Sequence, residues 1–147
     1  MKKKIKVALA ADHAGFAVKE KLVEFLEKEG YEFKDLGTYS GESVDYPDFA
    51  HLLAKEIEDG RVDFGISVCG SGNGINMALN KHDGIRSALC WQDDIAELAR
   101  KHNDANVCAL PGRFLSFEQA NSIVKIFLDT PFDGGRHKQR IDKIPIK

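Results

Sequence analysis

Cysteine, proline and tryptophan are scarce in this chain, whose 147 residues include three cysteines, four prolines and a single tryptophan. Cys69, Cys90 and Cys108 are odd in number and lack the short paired spacings of a metal site. That excludes a disulfide framework, argues against structural zinc, and suits a reducing, cytoplasmic setting. No charge sign dominates: the formal net charge is −2 and the pI about 6.2. A global field for nucleic acid or a membrane surface is therefore lacking, and an anionic ligand has to be caught locally. Apolar runs long enough for a membrane span are missing as well. The stretch Ile5–Ala11 behind basic Met1–Lys4 imitates a secretory leader but is too short and is interrupted by Lys6. Repeats, low-complexity tracts and linkers are absent. What remains, 43% hydrophobic and 30% charged residues, is the composition of an ordinary globular chain, and one domain over residues 1–147 is expected.

Short apolar runs alternate with amphipathic stretches along the sequence. Ile5–Ala11, Tyr31–Leu36, Val62–Val68, Ile85–Trp91 and Ala105–Leu110 read as strands. Helical spacing begins at Phe16, with Val18, Leu22, Phe25 and Leu26 on one stripe and Lys19, Glu20 and Glu24 off it. Pro47 fits the first turn of a helix opened by Tyr46, whose expected buried stripe is Phe49, Leu52, Leu53 and Ile57. Ile75–Leu79 reads as a short helix, Asp93 and Asp94 open one that turns Ile95, Leu98 and Ala99 inward, and Ser116 with Gln119 forms a capping box ahead of Ala120, Ile123, Val124, Phe127 and Leu128. Five such alternations with short connections predict an α/β chain, a parallel sheet between helical layers, with ligands beyond the carboxyl ends of the strands.

That rule gathers Asp12 and His13, the run Cys69-Gly70-Ser71-Gly72-Asn73-Gly74, Arg113 and, from the second helix, Tyr46 on one edge. Gly70, Gly72 and Gly74 bare the backbone before a helix, where main-chain N–H groups welcome negative charge and favour a thiolate at Cys69. A dinucleotide fingerprint fails, because its third glycine falls on Ile75, and no Gly-Lys-Ser/Thr supplies a P-loop. Arg136 and Arg140, four apart in a basic helix expected from about residue 134, suit a phosphate dianion, though a solvated basic end has the same sequence. His102 and Asn103 close a helix on the far side, so any role at the edge requires a second subunit. Taken singly, Cys69 reads equally as a buried hydrophobe, Asp12 as a helix cap, His13 as a structural hydrogen-bonding group, His102 as a helix-end cation and Asn103 as a turn residue. Taken together, thiol, amide cradle, carboxylate and cations describe proton transfer beside a carbonyl on a phosphorylated substrate. A non-catalytic nucleotide-binding module, using the glycine loop and Asp93, and a redox-sensing thiol protein are the competing classes.

The motifs Asp12-His13-Ala14-Gly15, Asp45-Tyr46-Pro47, Cys69–Ile75, Asn80-Lys81, Gly84-Ile85-Arg86, His102–Val107, Gly112-Arg113 and Gly135–Arg140 run in order along the chain. Together the sequence closely resembles the type B ribose-5-phosphate isomerases. The resemblance implies a Rossmann-like three-layer sandwich with a five-stranded parallel sheet. It also implies a homodimer, often paired into a tetramer, whose active sites are shared between subunits. The implied reaction is cofactor-free and metal-free interconversion of D-ribose 5-phosphate and D-ribulose 5-phosphate in the non-oxidative pentose phosphate pathway. Relatives acting on allose or galactose 6-phosphate give the alternative substrate. By the same resemblance Cys69 is the base, since the position used by the glutamate branch holds Ile75. Ser71 tunes Cys69, and Asp12 manages protons on the sugar oxygens. His102 opens the furanose ring, and Asn103 joins the Gly70–Gly74 amides in holding the enediolate. His13, Arg113, Arg136 and Arg140 hold the phosphate, and Tyr46 lines the sugar pocket.

Overall fold

Alternating apolar runs and amphipathic stretches become strands and helices in strict succession in the computed structural model, which describes residues 4–146. Met1–Lys3 and Lys147, the ends of the expected domain, lie outside it. The strands are β1 (Lys6–Ala11), β2 (Glu32–Asp35), β3 (Phe64–Cys69), β4 (Ser87–Leu89) and β5 (Val107–Pro111). The helices are α1 (Phe16–Lys28), α2 (Tyr46–Glu58), α3 (Asn73–Leu79), α4 (Asp93–Asn103), α5 (Phe117–Asp129) and α6 (Arg136–Ile141). All strand pairs are parallel, in the order β2-β1-β3-β5-β4. This is the Rossmann-like α/β/α sandwich expected. From β1 the chain steps outward to β2, then returns across β1 to lay down β3, so the switch point lies between β1 and β3. A crevice opens there beyond the strand ends.

Alternating strand residues feed two cores. Val7, Leu9, Ile66 and Leu110 pack with Leu22 and Leu26 of α1 and Ile123 and Phe127 of α5. The opposite face presents Ala8, Ala10 and Ala109 to Leu53 of α2 and Ile75 and Leu79 of α3. Small strand residues on that face let the helices come close: a Cβ at Gly65 would stand 3.0 Å from Leu53 Cδ1. The expected capping box is present, with Ser116 Oγ accepting Gln119 N–H at 3.1 Å and Gln119 Oε1 accepting Ser116 N–H at 2.8 Å. Among the described residues no helix is long and apolar enough to cross a membrane.

Three expectations need correction. Lys19, placed off the buried stripe by periodicity, is 0% exposed. Its ammonium meets both Asp35 oxygens at 2.8 Å and Glu20 at 2.9 Å, and a charged partner is what makes such burial tolerable. Leu52 and Leu98, assigned inward, are 48% and 41% exposed; α4 instead buries Ala96, Ala99 and the paired Arg100. The fourth strand shrinks from Ile85–Trp91 to Ser87–Leu89, the residues that stand in register with Val107–Ala109 of β5 at the sheet edge.

Candidate active site

The end of β1 and the end of β3 stand side by side, with Ala11 in register with Val68. The turn after β1 is pressed against β3: a Cβ at Gly15 would meet Val68 O at 2.3 Å, so only glycine fits. Asp12 N–H donates to Val68 O at 3.3 Å, and Asp12 Oδ1 accepts Gly15 N–H at 3.0 Å. The carboxyl is thus fixed, nearly buried, at the crevice. Its neighbour His13 accepts Val44 N–H on Nδ1 at 3.2 Å, leaving Nε2 to carry the proton of the neutral ring.

Cys69 is the last residue of β3, paired in register with Pro111 and 4% exposed. After it the chain turns at Gly72, φ 78°, into α3. Gly72 serves packing as well as conformation, since a Cβ there would meet Leu89 Cδ1 at 2.4 Å. Gly74 faces the ring of Tyr46, which a Cβ would reach at 2.5 Å, so Tyr46 lies flat over the first turn of α3. Arg113 donates its backbone N–H to Gly70 O at 3.0 Å and lays its guanidinium over Gly70. Among the described residues that guanidinium meets no carboxylate. Asp12, His13, Tyr46, Cys69, Gly70, Ser71, Gly74 and Arg113 therefore share one cleft of about 430 Å³, joined by Ala14 and Phe114. A buried carboxyl, a thiol, a row of backbone amides and an unpaired cation suit an anionic substrate with an acidic C–H.

Two predicted details fall out differently. Ser71 Oγ accepts Asn73 N–H at 3.2 Å, and among the described residues no hydrogen bond joins it to the Cys69 thiol. Asn73 and Gly72 do not line the cleft. Sequence reasoning missed Phe114, whose only signal was its place after Arg113.

The other candidates gather elsewhere. His102 and Asn103 end α4, and α6 packs beside that end with Arg136 and Arg140 one turn apart. His102 stacks on His137, ring centroids 4.2 Å apart and planes 14° off parallel. Asp133 N–H donates to Lys101 O at 3.0 Å, tying the approach to α6 onto α4. Desolvation, then the charges of His102, Arg136 and Arg140, hold His137 below the usual imidazole range against the upward pull of Asp133. His102, Asp133 and His137 bring donor atoms within 4.8 Å of one another. His137 was hidden in the sequence between two more conspicuous arginines. The remaining cysteines are inert: Cys90 and Cys108 are buried, and burial, reinforced by Cys90, pushes the Cys108 thiol well up.

Known proteins close to this chain in sequence and in fold belong to one family. The ribose/galactose isomerase family matches residues 7–144. Ribose-5-phosphate isomerase B of Escherichia coli is 43% identical over 139 residues, covering 95% of this chain and 93% of that protein. A Thermotoga maritima ribose 5-phosphate isomerase superposes with a TM-score of 0.95 at 52% identity, over 97% of this chain and 98% of the other. The Mycoplasma genitalium ribose-5-phosphate isomerase B, solved with bound ribulose-5-phosphate, gives 0.89 at 41% identity, over 95% and 93%. With the match spanning both the cleft and the α4–α6 corner, the chain belongs to the ribose/galactose isomerase family.

Proposed function

We propose that the protein interconverts D-ribose 5-phosphate and D-ribulose 5-phosphate by proton transfer through a cis-enediolate. The observation that carries this reading is the convergence of Cys69, Asp12 and the unpaired Arg113 on one cleft beside bare glycine amides. In the aldose-to-ketose direction the Cys69 thiolate takes the proton from C2. The electron pair moves to form the C1–C2 double bond, and the new oxyanion rests on backbone N–H groups of the glycine loop. The thiol then returns the proton to C1 while Asp12 relays a proton between the two sugar oxygens. Hydrogen moves as a proton between adjacent carbons, so the balance requires no electron acceptor.

His13 through Nε2–H, Arg113, and Arg136, His137 and Arg140 bind the phosphate in this reading, with Tyr46 along the sugar. His102 opens the ring and Asn103 supports the enediolate. Since the corner residues of one chain sit apart from its own cleft, a second copy brings them, making a homodimer the smallest complete enzyme. Exposed Trp91, Met77 and Leu98 supply apolar surface for such an assembly.

Purified protein given ribose 5-phosphate is expected to form ketose without added nucleotide or metal. Allose 6-phosphate and galactose 6-phosphate, run beside it, are expected to give lower kcat/KM. Folded, dimeric protein that yields no ketose from ribose 5-phosphate refutes the reading.

A further inference from the structure

Helix α4 ends on Asp104 with φ 47° and ψ 44°, and Asp104 is the one non-glycine residue with positive φ among those described. Left-handed backbone at a helix end ordinarily falls to glycine, or to asparagine. The side chains around Asp104 explain how an aspartate holds it. Arg100 NH1 donates to Asp104 Oδ1 at 2.9 Å, and Arg86 NH2 donates to Asp104 Oδ2 at 3.3 Å. Arg86 also takes the helix's last carbonyls: Nε donates to Asn103 O at 3.1 Å, and NH2 donates to Asp104 O at 2.9 Å. Its own position is fixed from the sheet, with Arg86 N–H donating to Asn106 Oδ1 at 2.8 Å and Asn106 Nδ2 donating to Gly84 O at 2.8 Å. Arg86 immediately precedes β4, and Asn106 immediately precedes β5.

A guanidinium at a helix C-terminus satisfies carbonyls that have no intrahelical partner and complements the helix dipole. Here it does so at the two residues that follow His102. Rotation of that last turn would carry His102 off His137 and swing the Asn103 side chain with it.

We propose that Arg86 is a positioning residue: by clamping Asn103 and Asp104 it sets the end of α4 from which His102 and Asn103 reach the partner's cleft. The inference rests on the reading of those two residues as parts of a shared site. Arg100 has a different task, since its side chain is nearly buried and its other hydrogen bonds go to Ala105 O at 2.7 Å and Thr130 O at 3.1 Å, which is core architecture. Arg86 is 35% exposed, so water can replace it at the carbonyls and the fold should persist without it.

The test is a double-mutant cycle on kcat/KM for ribose 5-phosphate, with melting temperatures beside it. Arg86→Ala in the parent is expected to lower kcat/KM about tenfold or more, chiefly through kcat. In a His102→Ala/Asn103→Ala background it is expected to cost less than twofold, because the groups it positions are gone. Arg86→Lys keeps the charge but not the fork, and is expected to show the same dependence on background; it replaces Arg86→Ala if that variant does not fold. The ring-current shifts of the His102 and His137 protons should collapse in either Arg86 variant. Equal losses in both backgrounds, or parent activity with unchanged imidazole shifts, overturn the positioning role. A His102→Ala/Asn103→Ala protein with full activity overturns instead the shared-site reading, and the positioning role with it.

Discussion

The cleft between β1 and β3 and the corner between α4 and α6 carry comparable numbers of polar groups, yet they are held in place by different means. In the cleft Asp12, Cys69 and Arg113 hang from buried strand ends or from turns packed against them. Asp12 is pinned by Val68 and Gly15, Cys69 by its pairing with Pro111, and Arg113 by Gly70. In the corner Arg136, His137 and Arg140 ride on a six-residue helix, a length that does not hold in water without docking. That helix is held by its buried Ile141, by the stacked imidazole pair and by the hydrogen bond from Asp133 to Lys101. The sheet therefore holds the cleft residues directly, while the corner depends on contacts between helices and, in the reading proposed above, works on the cleft of a second copy. Electrostatic preorganisation is worth most where covalent change occurs, and phosphate binding tolerates the looser scaffold.

The largest expected effect lies in the cleft. Cys69→Ala should lower kcat for ribose 5-phosphate by at least ~10²–10⁴-fold, the worth of a general base. KM and melting temperature should change little, since the cavity left by one sulfur at a strand end is small. A steady-state assay paired with a melting curve decides it; near-parent turnover would move the base elsewhere.

Next comes the division of labour itself. Cys69→Ala and His102→Ala proteins, each nearly inactive alone, should regain activity when unfolded together and refolded. A mixed dimer has one site combining an intact cleft with an intact corner, so random pairing restores about a quarter of the sites. Failure to exceed the sum of the separate proteins, with mixed dimers demonstrated by mass, would mean that each site belongs to one chain.

A smaller effect should follow from Gly74→Ala. The added methyl meets the Tyr46 ring at 2.5 Å, and overpacking of that kind costs about 1–3 kcal/mol. The ring must lift from the loop, so KM for the sugar phosphate should rise about tenfold. Tyr46→Ala combined with Gly74→Ala should recover the lost stability but not the lost affinity. A Gly74→Ala protein with unchanged melting temperature and KM would remove Tyr46 from its assigned place.

The cleft was also the more legible of the two regions, for physical reasons. Strand ends and glycine turns obey local rules, so Asp12, Cys69 and Arg113 could be brought to one edge from periodicity and topology alone. Lys19 escaped the same reasoning because its burial depends on Asp35, a residue on another element, and periodicity reads one element at a time. The corner depends on contacts of that kind throughout. Basic residues four apart suggested a helix face, but nothing local in Arg136–Arg140 reveals that His102 stacks on His137, or that Arg86 clamps a left-handed Asp104. His102, Arg136 and Arg140 could be singled out as residues, but their placement in a shared site came only through resemblance to a family, and His137 and Arg86 were given no role at all. Leu98 was misassigned because its helix presents apolar side chains on more than one face, and the α4 core position goes to Ala96 and Ala99.

The smallest expected effect is confined to the corner and separates it from the cleft by pH. His137 is held below the ordinary imidazole value of 6.5, by desolvation first and then by His102, Arg136 and Arg140. A group with a lowered folded pKa binds its proton more readily in the unfolded chain. Its contribution to stability is thus present above 6.5 and is lost as pH falls through the lowered folded value. Melting temperatures taken from pH 7.5 down to 5 should fall slightly faster for the parent than for His137→Gln, by on the order of 1 °C. Substrate phosphate bound across the corner should erase the difference, because a dianion reverses the field that the two arginines impose on His137. Parallel curves for parent and variant, with and without ribose 5-phosphate, would show that the stacked pair is not under electrostatic tension. The corner's geometry would then rest on packing alone.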